Sequence, residues 1–324
     1  MAQEVERAES RIRPHIRETH LDWSPYLSKE SRSNVWLKLE NVQFTGSFKV
    51  RGALNKLLSL KEVQRKRGVV TASTGNHGAA VAFGLRKLRA SGIVFVPENA
   101  SPDKVEAIEQ LGAQVRFWGT DPARTEAHAR QYASTRSMPY ISPYNDLQVV
   151  AGQGTIGLEL AHQLETPDAV FVSLGGGGLI SGIAGYLKTV CPAVEIIGCS
   201  PENSQVMIQS VRAGKILALP SRPTLSDGTA GGIEPGAMTF DLCRTLVDRY
   251  VTVTEDEIKK SLQLFIQTHH MLIEGAAAVA LSGFLKQQQD FVARNVVIVL
   301  CGANISLETL QTVLFDPKKK RRVS

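Results

Sequence analysis

The sequence predicts an α/β protein whose parallel sheets carry helices on both faces, and three features of the chain predict it. Apolar strand-like segments alternate with helical ones from Val35 to Tyr140. The alternation resumes from Thr155 to Leu300, so the chain holds two successive α/β blocks. In each block a strand runs into a glycine-bearing turn and then a helix, at Ser73-Thr74-Gly75-Asn76-His77 and at Gly175-Gly176-Gly177-Gly178. Such turns leave N–H groups free to meet an anion, so both are candidate binding sites. There is no internal repeat, and no low-complexity segment apart from the C-terminal tail.

In order, residues 3–18 read as an amphipathic, charged helix, with Val5, Ala8 and Ile12 on its apolar side and Pro14 as an interruption. Pro25-Tyr26-Leu27 begins a short turn or helix. Val35–Glu40 is a strand containing Trp36 and Leu39. The chain turns at Thr45-Gly46-Ser47 and enters a helix, with Ser47 as N-cap and Ala53, Leu54, Leu57 and Leu58 as the apolar stripe. Lys49 falls in the first turn of that helix, where the macrodipole favours negative charge by ~0.3–1 kcal/mol. A lysine kept there against the dipole is a candidate for chemistry; a solvated surface lysine is the plainer alternative.

Lys61–Arg67 is a charged surface segment, Gly68–Ser73 a buried strand and Ala79–Leu88 a helix of small residues. Strand Ile93–Pro97, helix Pro102–Leu111 with Gly112 as its stop, strand Gln114–Trp118, helix Pro122–Ser134 and a strand near Tyr140 follow. The second block begins with helix Thr155–Gln163, strand Ala169–Leu174, the glycine turn, helix Leu179–Val190 and strand Glu195–Cys199. A loop-rich span, Ala218–Pro235, leads to helix Asp241–Val247, strand Tyr250–Thr254, helices Glu255–Thr268 and Gly275–Lys286, and strand Asn295–Leu300.

Composition sets the limits. The 324 residues are 43% hydrophobic and 21% charged, an ordinary enzyme composition, and the length suggests about two domains. No apolar run approaches the ~20 residues of a bilayer span, so no membrane partner is expected. The N-terminus is charged and has no apolar stretch, so a secretory signal is not expected and a cytoplasmic location is. The four cysteines, Cys191, Cys199, Cys243 and Cys301, lack zinc spacing and read as reduced thiols. The net charge is +6, but Lys318-Lys319-Lys320-Arg321-Arg322 supplies most of it and leaves the body nearly neutral. A nearly neutral body lacks the basic face of a nucleic-acid binder. The tail resembles a short monopartite nuclear localisation signal, which leaves nuclear import as the alternative to the cytoplasm.

The glycine turn follows an apolar strand and opens a helix, the geometry of a phosphate cradle. Its spacing refuses the dinucleotide fingerprint G-x-G-x-x-G, because Ile180 and Ser181 stand where the last glycine belongs. No acidic residue stands in the right place either: Gly198 lies twenty residues past Gly178, and Glu195 is at a strand start. A dinucleotide-dependent oxidoreductase is therefore disfavoured.

Lys38-Leu39-Glu40 followed by Thr45-Gly46-Ser47-Phe48-Lys49-Val50-Arg51-Gly52-Ala53 closely resembles the lysine segment of the pyridoxal-phosphate (PLP) enzymes of fold type II. Within them it is most similar to the threonine/serine dehydratase and serine racemase family. The resemblance implies a tryptophan synthase β-like fold of two open, twisted, mostly parallel sheets with flanking helices. It also implies a smaller domain, 68–145, inserted in a larger PLP-binding one formed by 1–67 and 146–324. Lys49 would bind the cofactor covalently and serve as base, and Phe48 would pack on the cofactor ring. Ser73, Thr74, Gly75, Asn76 and His77 would receive the substrate carboxylate, with Asn76 also facing the cofactor's phenolic oxygen. Gly175, Gly176, Gly177, Gly178 and Leu179 would hold its phosphate. Cys301, in Val299-Leu300-Cys301-Gly302-Ala303-Asn304, would meet the pyridine nitrogen. Ser226-Asp227-Gly228 and Glu274 match positions lining the active site, so Gly228 and Glu274 are added as substrate-site candidates. Val149-Val150-Ala151-Gly152-Gln153-Gly154-Thr155 is similar to a run that leads into a helix of the larger domain.

Particular residues sharpen the expectation. A neutral thiol at Cys301 is a weak donor, which suits elimination better than chemistry needing a long-lived carbanion. Serine racemases carry a serine at the place of Thr74, dehydratases often an alanine. The Thr74 hydroxyl is able to move a proton, so Thr74 is a catalytic candidate and racemisation stays open. Some relatives bind a divalent cation after the strand ending near Cys199. Here Ser200 and Val206 occupy the ligand positions, neither an anionic oxygen, so no essential metal is expected. His269 and His270 are adjacent, and His128 and His162 isolated, which does not suit ligation.

The expected function is PLP-dependent removal of water and ammonia from L-threonine or L-serine to give a 2-oxo acid. The alternatives are a racemase of serine or a related amino acid, or a β-eliminating lyase acting on hydroxyaspartate or a diamino acid. A catalytically dead binding protein is opposed by the intact Lys49. The family implies a homo-oligomer, a dimer. The chain ends soon after the Cys301 motif, so a regulatory C-terminal domain is not expected.

Overall fold

The computed structural model describes residues 1–315. The basic segment 318–322, read above as an address, lies outside the described residues. The elements in chain order are α1 (Ala2–Ile12), β1 (Leu21–Trp23), α2 (Pro25–Ser31), β2 (Asn34–Lys38), α3 (Lys49–Ser59), α4 (Glu62–Arg67), β3 (Val69–Ala72), α5 (Asn76–Leu88), β4 (Gly92–Val96), α6 (Pro102–Gln110), β5 (Gln114–Phe117) and α7 (Pro122–Thr135). They continue with α8 (Leu147–Gln163), β6 (Ala169–Ser173), α9 (Gly178–Val190), β7 (Glu195–Pro201), α10 (Val206–Ala213), α11 (Met238–Leu246), β8 (Arg249–Val253), α12 (Glu255–His269), α13 (Gly275–Gln287), β9 (Asn295–Val299) and α14 (Leu307–Leu314).

Six strands form one sheet in the order β1-β2-β9-β6-β7-β8, and three form a second in the order β3-β4-β5. Every pairing is parallel except β1 with β2. Parallel strands need crossovers, and the chain supplies a helix at almost every one. Covered on both faces, β6 is buried at all its positions, so Ala-Val-Phe-Val-Ser reads as a continuous apolar run instead of an alternating one. Phe171 on β6 meets Phe284 and Phe291 edge-on, with ring centroids 5.5 and 5.2 Å apart.

Local chemistry sets the helix starts. The Ser24 hydroxyl accepts from Leu27 N with Pro25 in the first turn of α2. Thr254 and Glu257 form a reciprocal capping box on α12. The Asp146 carboxylate accepts from Gln148 N and Val149 N at 2.8 and 3.2 Å, and so begins α8 at Leu147. The expected start at Thr155 was too late: the Ala-Gly-Gln-Gly-Thr run lies inside the helix, where its glycines allow close approach to α3 and α9.

Other expectations are corrected. Ser47 does not cap α3. Its backbone is extended (φ −163°) and pairs with Gly302, and Phe48 N donates to Cys301 O at 3.1 Å. The residue that would have turned to cap is thus committed to lacing the lysine segment to the end of β9. The segment near Tyr140 is a single bridge to Val70, not a strand. The first helix stops at Ile12 and gives way to a 3-10 turn, Arg13–His15, around Pro14. The short elements β1, α4, α10 and α14 went unforeseen.

Beneath α3 lies a buried ionic network. The Arg51 guanidinium, fully buried, donates to both Glu40 oxygens at 2.8 and 2.7 Å and to both Glu159 oxygens at 2.7 and 2.9 Å. Lys38 Nζ reaches Glu159 Oε2 at 2.5 Å, Thr19 O at 2.9 Å and Gln163 Oε1 at 2.8 Å. Arg13 adds a further contact to Glu159 at 2.5 Å. Burial opposes the Glu159 charge, but Arg51 and Lys38 outweigh it and hold the carboxyl at about 2. The network fixes α3, and so Lys49, against β2 and α8.

Candidate active site

Four of the segments, those of Lys49, Ser73–His77, the glycine turn and Cys301, follow the carboxyl ends of strands, where open parallel sheets place their binding crevices. Lys49 opens α3, after β2. Its ammonium donates to Pro143 O at 3.0 Å and lies 5.1 Å from the centroid of the Phe48 ring. Burial lowers its pKa to about 8, against the opposing pull of Cys301 and Glu274. A useful fraction of the amine is therefore free near neutral pH.

The Ser73–His77 turn follows β3. Gly75 N is satisfied by Ser73 Oγ at 3.2 Å, while the N–H groups of Thr74, Asn76 and His77 have no acceptor among the described residues. His77 Nε2 lies 3.0 Å from Ile141 O. Burial, with help from Lys49, pushes its pKa down to about 3, so the ring is neutral and offers no cation to a carboxylate. Asn76 Nδ2 donates to both oxygens of Glu274, at 3.0 and 2.9 Å. Thr74 is partly exposed at the head of α5.

The glycine turn follows β6. Gly177 has φ +86°, a left-handed conformation, and is the N-cap of α9. The N–H groups of Gly175, Gly176, Gly177, Gly178 and Leu179 have no acceptor among the described residues. These free donors, at the positive end of a 13-residue helix, form an anion cradle. Leu179 is buried behind it.

Cys301 follows β9. Burial pushes its thiol well above the ordinary range, and the Glu274 carboxylate, 4.0 Å from its sulfur, adds to that. The thiol is neutral. Glu274 precedes α13 and is itself raised to about 7, chiefly by burial; Asn76, Asn304 and Lys49 pull it back down and Asp227 adds to the rise. Gly228 lies close by, a side-chain carbon at that position standing 3.6 Å from Glu274 Oε1. Ser200 Oγ donates to Leu174 O at 2.7 Å, and Val206 is buried at the start of α10.

The residues singled out from sequence thus meet in one region, and the structure adds a segment that they did not include. Ser142 Oγ accepts from Asn145 N at 3.0 Å. Pro143 O takes the Lys49 ammonium. The Tyr144 ring lies against Gly176, and its hydroxyl accepts from Glu234 N at 2.8 Å. Asn145 Oδ1 accepts from Met238 N at 3.0 Å. In sequence these are ordinary turn formers, and only the aromatic among them was a signal.

These residues fit PLP: an anion cradle for its phosphate, an amine of lowered pKa for its aldehyde, and an aromatic ring and a thiol beside the lysine. Two open, mostly parallel sheets with this site at their strand ends define a fold type II PLP enzyme. The chain belongs to the pyridoxal-phosphate dependent enzyme family, whose model matches residues 12–302. It is 38% identical over 308 residues to the catabolic L-threonine dehydratase TdcB of Escherichia coli K12, covering 94% of this chain and 93% of that one. It is similar in structure to maize serine racemase (TM-score 0.91, 30% identity, covering 96% and 95% of the two chains). It is equally similar to the processed form of threonine deaminase isoform 2 from Solanum lycopersicum (TM-score 0.91, 31% identity, covering 97% and 93%).

Proposed function

We propose that this protein is an ammonia-lyase that removes water from L-threonine or L-serine and yields a 2-oxo acid and ammonia. PLP, when bound, supplies the electron sink that acidifies the substrate Cα. The N–H groups of Thr74, Asn76 and His77 bind the substrate carboxylate. Those of Gly175–Leu179 would hold the cofactor phosphate, Phe48 would pack on its ring, and Asn76 would face its phenolic oxygen. Lys49 would carry the cofactor, and its amine takes the proton from Cα. The Cα–H and Cβ–O bonds break, a Cα=Cβ bond forms, and the hydroxide leaves as water once protonated. The released enamine hydrolyses in solution to the 2-oxo acid and ammonia.

The observation that carries this reading is the neutral thiol of Cys301 beside the lysine segment. A thiol donates weakly, so Cys301 would leave the ring nitrogen of a bound cofactor without a strong partner, a setting that would suit β-elimination. The purified protein is expected to be yellow, and Lys49→Ala colourless and inactive. L-threonine or L-serine should yield 2-oxo acid and ammonia in equal amounts. A colourless wild type, or coloured protein that forms no 2-oxo acid, overturns the proposal.

A second reading, serine racemisation, is favoured by the partly exposed hydroxyl of Thr74. Measuring D-serine formed from L-serine alongside the keto acid separates the two. A panel containing hydroxyaspartate and diamino acids tests the remaining lyase reading. We also infer that 68–145 forms an inserted domain, because β3, β4 and β5 make a sheet separate from the six-stranded one. The chain is read as a homodimer acting in the cytoplasm. Among the described residues no helix is long and apolar enough to cross a membrane. Leu307, Phe315 and Trp23, exposed by 78%, 71% and 50%, supply apolar surface for self-association. Light scattering on the purified protein checks the dimer.

A further inference from the structure

Gly46, Gly302 and Asn304 belong to the sequence motifs but have no task in the reading above. The structure puts them in one place with Glu274. Asn76 heads α5, which leaves the smaller sheet, whereas Glu274 and Asn304 flank α13 and β9 of the larger one. Both ends of the Asn76 amide are claimed from across that boundary. Its nitrogen donates to the Glu274 carboxylate at 3.0 and 2.9 Å, and its oxygen accepts from Asn304 Nδ2 at 2.6 Å. A flipped amide would set oxygen against carboxylate and NH2 against NH2, so only one orientation is tolerated.

Asn304 is held in turn. Its side chain donates to Thr45 O at 2.8 Å and its backbone N to Glu274 Oε2 at 3.2 Å. The glycines make the room. A Cβ on Gly302 would stand 2.7 Å from Glu274 Cδ, and one on Gly46 (φ +69°) 2.7 Å from Asn304 Oδ1. The lysine segment, the Cys301 segment and the head of α5 therefore share one hydrogen-bonded junction.

We propose that Glu274 and Asn304 form a clasp across the two sheets that fixes the orientation of the Asn76 amide beside the cofactor's phenolic oxygen and pins the head of α5 to the larger sheet. Both act as positioning residues. The cofactor half of this rests on the proposed function; the pinning of α5 does not.

The test uses Asn304→Ala and Glu274→Gln. Asn304 is exposed, so its truncation leaves the core intact. In the cofactor-loaded proteins the visible absorption band is expected to shift, and the PLP dissociation constant to rise about tenfold, the scale of one lost hydrogen bond. Hydrogen exchange over residues 76–88, measured on protein stripped of PLP, is expected to speed up about tenfold. An unchanged band and unchanged exchange overturn the clasp. So does a lowered melting temperature with band and exchange unmoved, which marks the pair as mere filling. A wild type that binds no PLP defeats the proposed function, while the exchange measurement still decides the pinning.

Discussion

The ammonium of Lys49 is held by the main-chain oxygen of Pro143, a residue 94 positions away, at 3.0 Å. A carbonyl is an acceptor that neither titrates nor takes a proton from the amine at neutral pH. The lysine is therefore kept in place while burial, opposed by Cys301 and Glu274, sets its nucleophilicity. With its pKa lowered to about 8, the amine of the PLP-free protein should capture added PLP faster as pH rises from 6, and level off above about 8. Stopped-flow absorbance after removal and re-addition of PLP checks this. A rate still climbing steeply towards the ordinary lysine value of 10.5 contradicts it.

Glu274 gives a pH signature of the opposite sense. Its pKa rises from 4.5 to about 7 on folding, so the folded state binds more protons between those values. Stability of the PLP-free protein should fall as pH rises through that window. Glu274→Gln should flatten the fall. Urea denaturation at a series of pH values checks both.

Arg51 faces two buried carboxylates, Glu40 and Glu159. Arg51→Met strands them with Lys38 and Arg13 as the remaining cations and should destabilise the chain by about 3–5 kcal/mol. Equilibrium unfolding in urea measures the loss, and a change under 1 kcal/mol (about the value of an exposed pair) would refute it.

Gly177 has φ +86°, and a Cβ there would stand 2.9 Å from Cys243 Sγ. Gly177→Ala combines backbone strain with that clash, about 1–3 kcal/mol in all. It falls on the anion cradle proposed to hold the cofactor phosphate, so PLP affinity should drop by roughly tenfold to a hundredfold. Spectrophotometric PLP titration reads it.

Tyr144→Phe keeps the ring against Gly176 and removes only the acceptor for Glu234 N. About 1 kcal/mol of local stability is lost. The span 231–236 should exchange its amides faster while PLP affinity stays within twofold of wild type. A large fall in PLP affinity would show that the hydroxyl, not the ring, serves the cradle.

The parts of this fold legible in sequence are those where one stretch determines its own conformation. The buried run of β6, the glycine turn before α9 and the Ser73–His77 turn carry their reasons in their own residues. What escaped depends on partners far away. Ser47 looks like a cap until Gly302 is seen beside it. Asp146 begins α8 well before its apolar stretch suggests. Pro143 and Tyr144 read as turn residues, and nothing nearby shows that a lysine and a glycine loop converge on them. Asn304 was quoted in a motif, yet its partner Asn76 lies 228 residues earlier.

The buried network under α3 also bears on the order in which the protein is made. Arg51 and Glu40 leave the ribosome early, but Glu159 is 108 residues later than Arg51. Until α8 emerges, those early charges have no complete set of partners and stay hydrated. The lysine is then seated only after both the smaller sheet and the return into α8 have been synthesised. A nascent chain stalled before Glu159 would carry Lys49 on a helix whose buried charges still lack their frame.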